Sequence, residues 1–202
     1  MYASQISKAL ESDPHVAKTF MGVFPSDKLP KNIWKFPCSL VANTDPSSKR
    51  GEHWVCFYFD RTGAVEYFDS YGIPPVNHNL FNFITENGCN LTWHPNTRMT
   101  CNDKRVQGYN SNVCGHYCIA YITQRVRGKS MNEIVSGFKG RVAGAKDQKI
   151  ANYVNEAYNI NNEVTFQRGG RRGQCCCAMT HSRLNDYLNQ SALNEAAATS
   201  FL

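Results

Sequence analysis

The segment from His53 to Asp69 constrains the fold most. His53-Trp-Val-Cys-Phe-Tyr-Phe-Asp60 and Ala64-Val-Glu-Tyr-Phe-Asp69 are rich in aromatic and β-branched residues, and Arg61-Thr-Gly63 separates them with a glycine free to take a positive φ. The two runs are expected to pair as an antiparallel hairpin. A hairpin alone is marginal in water, so further strands and helices must cover it. Centring the pairing on Arg61 sets His53 opposite Asp69 at the open end of the ladder, within a register step or so of a directly opposed pair at about 5 Å. The same two residues also fit ordinary strand ends with no chemistry.

The 202 residues, 42% hydrophobic and 19% charged, suffice for one domain with a sizeable core, and the balance excludes a disordered chain. No run of eighteen apolar residues occurs and the opening Met1 to Lys8 lacks an apolar signal region, so neither a membrane span nor ordinary secretion is expected. Nine cysteines cannot all pair, and most are expected as free thiols in a reducing, intracellular compartment. Cys175, Cys176 and Cys177 are contiguous, which suits a tetrahedral metal poorly, and Cys114, His116 and Cys118 lack a second ligand pair. No metal is expected.

Helical spacing of Ile6, Leu10, Val16 and Phe20 predicts a helix within residues 1–20, interrupted at Asp13-Pro14. An irregular stretch over 24–35 leads to a short buried strand over 38–42. A helix with Leu80, Phe81 and Ile84 follows within 76–87, then a strand over 90–94. The strongest helical pattern spans 114–127 and stops at Gly128. Two more helices are expected at 130–138 and 146–158, the second with Ile150, Val154, Ala157 and Tyr158 on one face. Hydrophobic rhythm then fades, which divides the chain into a domain of residues 1–159 and a basic, cysteine-bearing, Ala-rich tail of residues 160–202.

A thiol hydrolase needs a thiolate, a histidine to exchange its proton, an acceptor to orient that histidine, and donors for the developing oxyanion. Cys114 opens the strongest helix after Asn110-Ser111-Asn112, so its thiol falls at the positive end of the helix dipole, where a thiolate is favoured. It also fits the role of a small buried hydrophobe, as Cys118 one turn later does. Gln107, seven residues upstream, can set its amide N–H beside the backbone N–H of Cys114.

Three strings, Gly51-Glu-His-Trp-Val-Cys-Phe57, Tyr67-Phe-Asp-Ser-Tyr-Gly72 and Val106-Gln-Gly-Tyr-Asn-Ser-Asn-Val-Cys-Gly-His-Tyr-Cys118, together resemble the catalytic blocks of the adenovirus-type cysteine endopeptidases, which group with the ubiquitin-like-protein (SUMO) proteases. Phe20-Met-Gly-Val-Phe24 and Cys38-Ser-Leu-Val-Ala-Asn-Thr44 are similar to the family's amino-terminal segments, so the likeness covers roughly residues 18–127. The resemblance implies an α+β, papain-like fold with a central mixed sheet flanked by helices and the chain order His, Asp, Gln, Cys. It implies His53 as general base, Asp69 as its orienting acid, Cys114 as nucleophile and Gln107 as oxyanion donor. Trp54 would wall a cleft that admits only narrow glycines, unless it is a core tryptophan.

The family cleaves protein substrates at Gly-containing sites and matures capsid proteins of viruses and related transposons. It therefore implies a viral or transposon source and action in a host nucleus or virion. No cofactor is required for the chemistry itself, although the family's peptide and DNA activators enter by resemblance. Cys89 and Cys101 lie in the interval where the peptide's cysteine partner falls, at neither case the matching offset. A monomer is expected.

Two other readings stand beside this one. The same chemistry serves a protease that deconjugates ubiquitin-like modifiers. A nucleic-acid-binding module would rest on the +6 net charge and on Arg125, Arg127, Lys129, Lys139, Arg141, Lys146 and Lys149, against only Glu133 and Asp147 in the same stretch; the same density also fits a solvated helical surface. In the tail, Gln167-Arg168-Gly169-Gly170-Arg171 resembles a Gly-Gly cleavage site or is an inert linker.

Overall fold

A computed structural model describes residues 1–88, 99–138 and 143–160. The strand expected over 90–94, Cys89, Lys139, Arg141 and the tail beyond Ile160, with its Gly170 site, lie outside the described residues.

The elements run α1 (Ala3–Ser12), β1 (Phe20–Pro25), a 3-10 turn (Ser26–Lys28), β2 (Cys38–Asn43), β3 (Trp54–Phe59), β4 (Val65–Phe68), α2 (His78–Gly88), β5 (Thr100–Cys101), α3 (Cys114–Val126), α4 (Met131–Gly137) and α5 (Ala143–Tyr158). The strands form one mixed sheet in the order β1-β2-β3-β4-β5. Its outer pairs, β1 with β2 and β4 with β5, are parallel, and the two central pairs are antiparallel. The expected α+β architecture, a mixed sheet flanked by helices, is what the chain adopts.

β3 explains why the hairpin reads as a continuous apolar run and not as an alternation. Cys56 and Tyr58 face a core shared with Ile6, Leu10, Tyr117, Tyr121, Ile134 and Val154, whereas Val55, Phe57 and Phe59 face Leu80, Phe83 and Ile84. Both faces of the strand are therefore covered by helices, the condition under which polar positions disappear from a strand. α3 is buried from Cys114 through Thr123, and Phe68 of β4 stacks on its Tyr121 at 4.4 Å.

Three expectations need correction. Phe20 lies in β1, not on a helix, because the chain turns at Asp13, whose carboxylate accepts from the N–H of His15 and Val16. β1 escaped notice because Gly22 sits at φ +130° and the register shifts between Phe20 and Val23, which breaks any period of two. The hairpin centres on Thr62 instead of Arg61, since Cys56 faces Phe68 and Phe59 faces Val65. Asp60 causes the shift, its Oδ1 accepting from the N–H groups of Thr62 and Ala64. On α5 the buried stripe is Asp147, Ala151 and Val154, and Ala157 is exposed.

Candidate active site

His53 precedes the first residue of β3 and is held there by its approach. Gly51 has φ +86°, and a Cβ at that position would lie 2.7 Å from Asn43 Nδ2, so only glycine lets the chain pass the end of β2. Asn43 Oδ1 accepts from the N–H of Asp45 and Glu52, and the His53 carbonyl accepts from Thr44 N–H. With its backbone pinned, the buried imidazole presents Nε2 to Asp69 Oδ1 at 2.8 Å.

Asp69 follows the last residue of β4. Its Oδ1 also accepts from Tyr71 N–H at 2.7 Å, which folds residues 69–72 into a turn closed by Gly72 N–H on the Asp69 carbonyl. Asn102, just past β5, brackets the Asp69 backbone: its Oδ1 accepts from Asp69 N–H at 2.9 Å and its Nδ2 donates to Asp69 O at 2.6 Å. The shifted hairpin register puts Tyr71, not Asp69, in line with His53. The two rings accordingly lie 4.9 Å apart, and Asp69 reaches the imidazole diagonally.

Cys114 is the first residue of α3 and is 1% exposed. The N-cap position falls to Val113, not to Asn110, Ser111 or Asn112; Val113 offers no side-chain cap, and the Ser111 hydroxyl turns back to Gly108 O. The Cys114 thiol stands at the positive end of the helix, next to an N-cap residue with no polar side chain.

Two histidines feel the Cys114 charge, and their surroundings separate them. Burial opposes the charged form of His53, but the Asp69 carboxylate, followed by a hydrogen bond to and the charge of the Cys114 thiolate, pushes its pKa up to about 10. Nε2 is taken by Asp69, which leaves the buried Nδ1 as the ring nitrogen open to the Cys114 sulfur. Burial pushes His116 down to about 4, against the pull of its Asn155 hydrogen bond and of Cys114. At neutral pH the histidine cation beside Cys114 is therefore His53, and His116 is neutral.

The pairing has a measurable signature. In Cys114→Ala the ring keeps Asp69 but loses the sulfur, so its titration moves down from about 10 toward the ordinary 6.5, as NMR of the ring protons will report. A titration that stays in place would mean that sulfur does not act on the ring. Because the folded value lies above the ordinary one, the stability from this pairing is complete below about pH 6.5 and is lost as pH rises through about 10.

Gln107 comes to the same place by a different route. Gly72, at φ +70°, leaves no room for a Cβ against Lys104 and lets that loop pass close to the 69–72 turn. The N–H groups of Val106 and Gln107 both donate to Ser70 O at 2.9 Å. The buried Gln107 side chain accepts from Ser70 Oγ at 2.7 Å and donates from Nε2 to Ser111 O at 2.7 Å and to Tyr71 Oη at 3.2 Å.

No family model matches the chain, and no curated protein matches it in sequence. Solved structures do. The crystal structure of ASFV pS273R protease superposes with a TM-score of 0.53 at 20% identity, over 78% of this chain and 66% of that one. The fold is one that a protease uses. A selenomethionine crystal structure of ASFV pS273R protease gives a TM-score of 0.44 at 26% identity, over 63% of this chain and 46% of that one. The chain therefore spans just under two thirds of the first structure and less than half of the second.

The remaining candidates divide. Trp54 is half-buried against the core, and its Nε1 donates to Met1 O at 3.1 Å. Cys101 is partly buried, and burial raises its thiol pKa to about 11. The basic run does not form one free face: Arg125 pairs with Glu66 and lies over the Tyr58 ring, and Arg127 pairs with Asp13. Among the described residues no group of three His, Cys, Asp or Glu could hold a metal, and no helix is long and apolar enough to cross a membrane. Sequence reasoning missed Tyr71, Asn102 and Asp147. Asp147 had a usable signal, since Ala151 and Val154 stand four and seven residues after it, the spacing of one helical face.

Proposed function

We propose that the chain is a cysteine endopeptidase in which Cys114 is the nucleophile, His53 the proton carrier, Asp69 its orienting acid and Gln107 an oxyanion donor. The observation that carries the reading is a buried imidazole fixed at Nε2 by Asp69 at 2.8 Å, with Cys114, the first residue of α3, among the groups that act on it. A fold shared with an ASFV protease supports it.

In this mechanism Cys114 Sγ attacks the scissile carbonyl carbon, and the carbonyl electrons move to the oxygen. The oxyanion is met by the backbone N–H of Cys114 and by Gln107 Nε2. Both hydrogens of that amide are engaged in the free protein, and the bond to Tyr71 Oη, at 3.2 Å against 2.7 Å to Ser111 O, is the one that yields. The oxyanion collapses, the C–N bond breaks, and the Nδ1 proton of His53 goes to the departing amine. Water then gives a proton to His53 and attacks the thioester, which releases the acid and restores the thiolate.

The family resemblance extends the proposal to protein substrates with Gly-containing sites, capsid-type proteins among them, with Trp54 beside His53 as the wall that would admit narrow residues. The experiment that tests this is a mass-spectrometric screen for peptides cut by the wild-type protein and not by Cys114→Ala. Cleavage clustered at Gly-containing sites is expected; no difference between the two proteins would overturn the reading. Gln107→Ala should lower kcat by roughly 10² to 10³ with KM little changed, measured on a peptide from that screen. An unchanged kcat would remove Gln107 from the oxyanion site.

A further inference from the structure

Asp147 is fully buried on α5, 39 residues from its partner Gly108 in sequence. Its carboxylate has no Lys, Arg or His bridge among the described residues and is divided between two uncharged donors. Oδ2 accepts from the backbone N–H of Gly108 at 2.9 Å. Oδ1 lies 2.9 Å from the Tyr117 hydroxyl, which is also 3.1 Å from Val106 O and has one proton to give to either. The residues on both sides of Gln107 are thereby gripped from α5 and α3, while Ser70 O holds the N–H groups of Val106 and Gln107 from the other direction.

Burying an uncompensated carboxylate is expensive, and the free energy spent here goes to one stretch of backbone. We propose that Asp147 is a positioning residue for the oxyanion site: through Gly108 N–H and Tyr117 it sets the depth at which the 106–108 backbone, and with it the Gln107 amide, stands against the start of α3. The proposal rests on the cysteine-peptidase reading above. Asp147 touches neither Cys114 nor substrate, so its loss should weaken oxyanion binding and leave the thiolate alone.

Two probes separate these effects. Iodoacetamide reports the Cys114 thiolate and needs no oxyanion donor, whereas acetyl-Leu-Ala-Gly-Gly-aldehyde adds to Cys114 as a hemithioacetal whose oxygen occupies the oxyanion site. Asp147→Val should weaken aldehyde binding by roughly tenfold to a hundredfold and leave the alkylation rate within about twofold. Asp147→Asn should restore most of the affinity, because its Oδ1 can accept from Gly108 N–H and its Nδ2 can donate to Tyr117, freeing that hydroxyl for Val106 O. In a Gln107→Ala background Asp147→Val should add little.

Undiminished aldehyde affinity in Asp147→Val overturns the proposal, and so does a parallel loss of both probes, which would make Asp147 a support of the fold at large. If Asp147→Val does not fold, Asp147→Ser, with room for a water at Gly108, is read by the same criteria. Wild-type protein that takes iodoacetamide at Cys114 but not the aldehyde would sink the peptidase reading itself, and this inference with it.

Discussion

On the proposed function, Cys114→Ala is expected to abolish peptide cleavage, with a fall in kcat on the order of 10⁵-fold or more, because it removes the sulfur that forms the thioester. The fold should survive, since one sulfur at the start of α3 is all that is removed. Alkylation of the wild-type protein gives the complementary result. Cys114 is as buried as Cys38 and Cys118, so access does not distinguish them. Their charge states do: burial holds Cys38 up to about 12 and Cys118 well above its ordinary value, while Cys114 faces a histidine cation and a helix N-terminus. Iodoacetamide near neutral pH should therefore modify Cys114 first, as peptide mapping will show, and uniform labelling would sink its assignment as nucleophile.

The second large effect belongs to His53. On the proposed function, His53→Ala removes both the cation beside Cys114 and the group that protonates the leaving amine, and kcat should fall by roughly 10³ to 10⁴. The alkylation profile of Cys114 should move to higher pH in the same variant, because the positive charge that favours its thiolate is gone. His116 is the control. It is neutral at pH 7 and bonded to Asn155, so His116→Gln should leave that profile near its wild-type position. A profile that follows His116 and ignores His53 would reverse the two assignments.

How much of this was legible follows from what each residue answers to. β3 and α3 announce themselves because burial on nearly every side leaves long apolar stretches, and these two elements deliver His53 and Cys114. The contact of Asp69 with His53 was legible although the residue facing His53 lies two positions beyond the one assumed, since a diagonal contact tolerates that error. β1 was invisible because Gly22 interrupts its alternation. Asn102 and Tyr71 act through backbone and ring contacts that leave no spacing to detect. Asp147 misled for another reason: among Lys146, Lys149 and the preceding basic residues, a carboxylate reads as surface charge until the phase of α5 is known.

The burial of α3 from Cys114 to Thr123 has a consequence for when the protein is competent at all. Helix α3 is packed against β3, α1, α4 and α5, so its first turn is not a frayed end but part of the buried core. His53, Asp69, Gln107 and Cys114 arrive from separate stretches of chain and meet only when that core has closed. On the function proposed above, a nascent or partly opened chain would therefore carry four ordinary side chains and no assembled site, so cleavage of other proteins would be acquired in the same cooperative step as resistance to being cut.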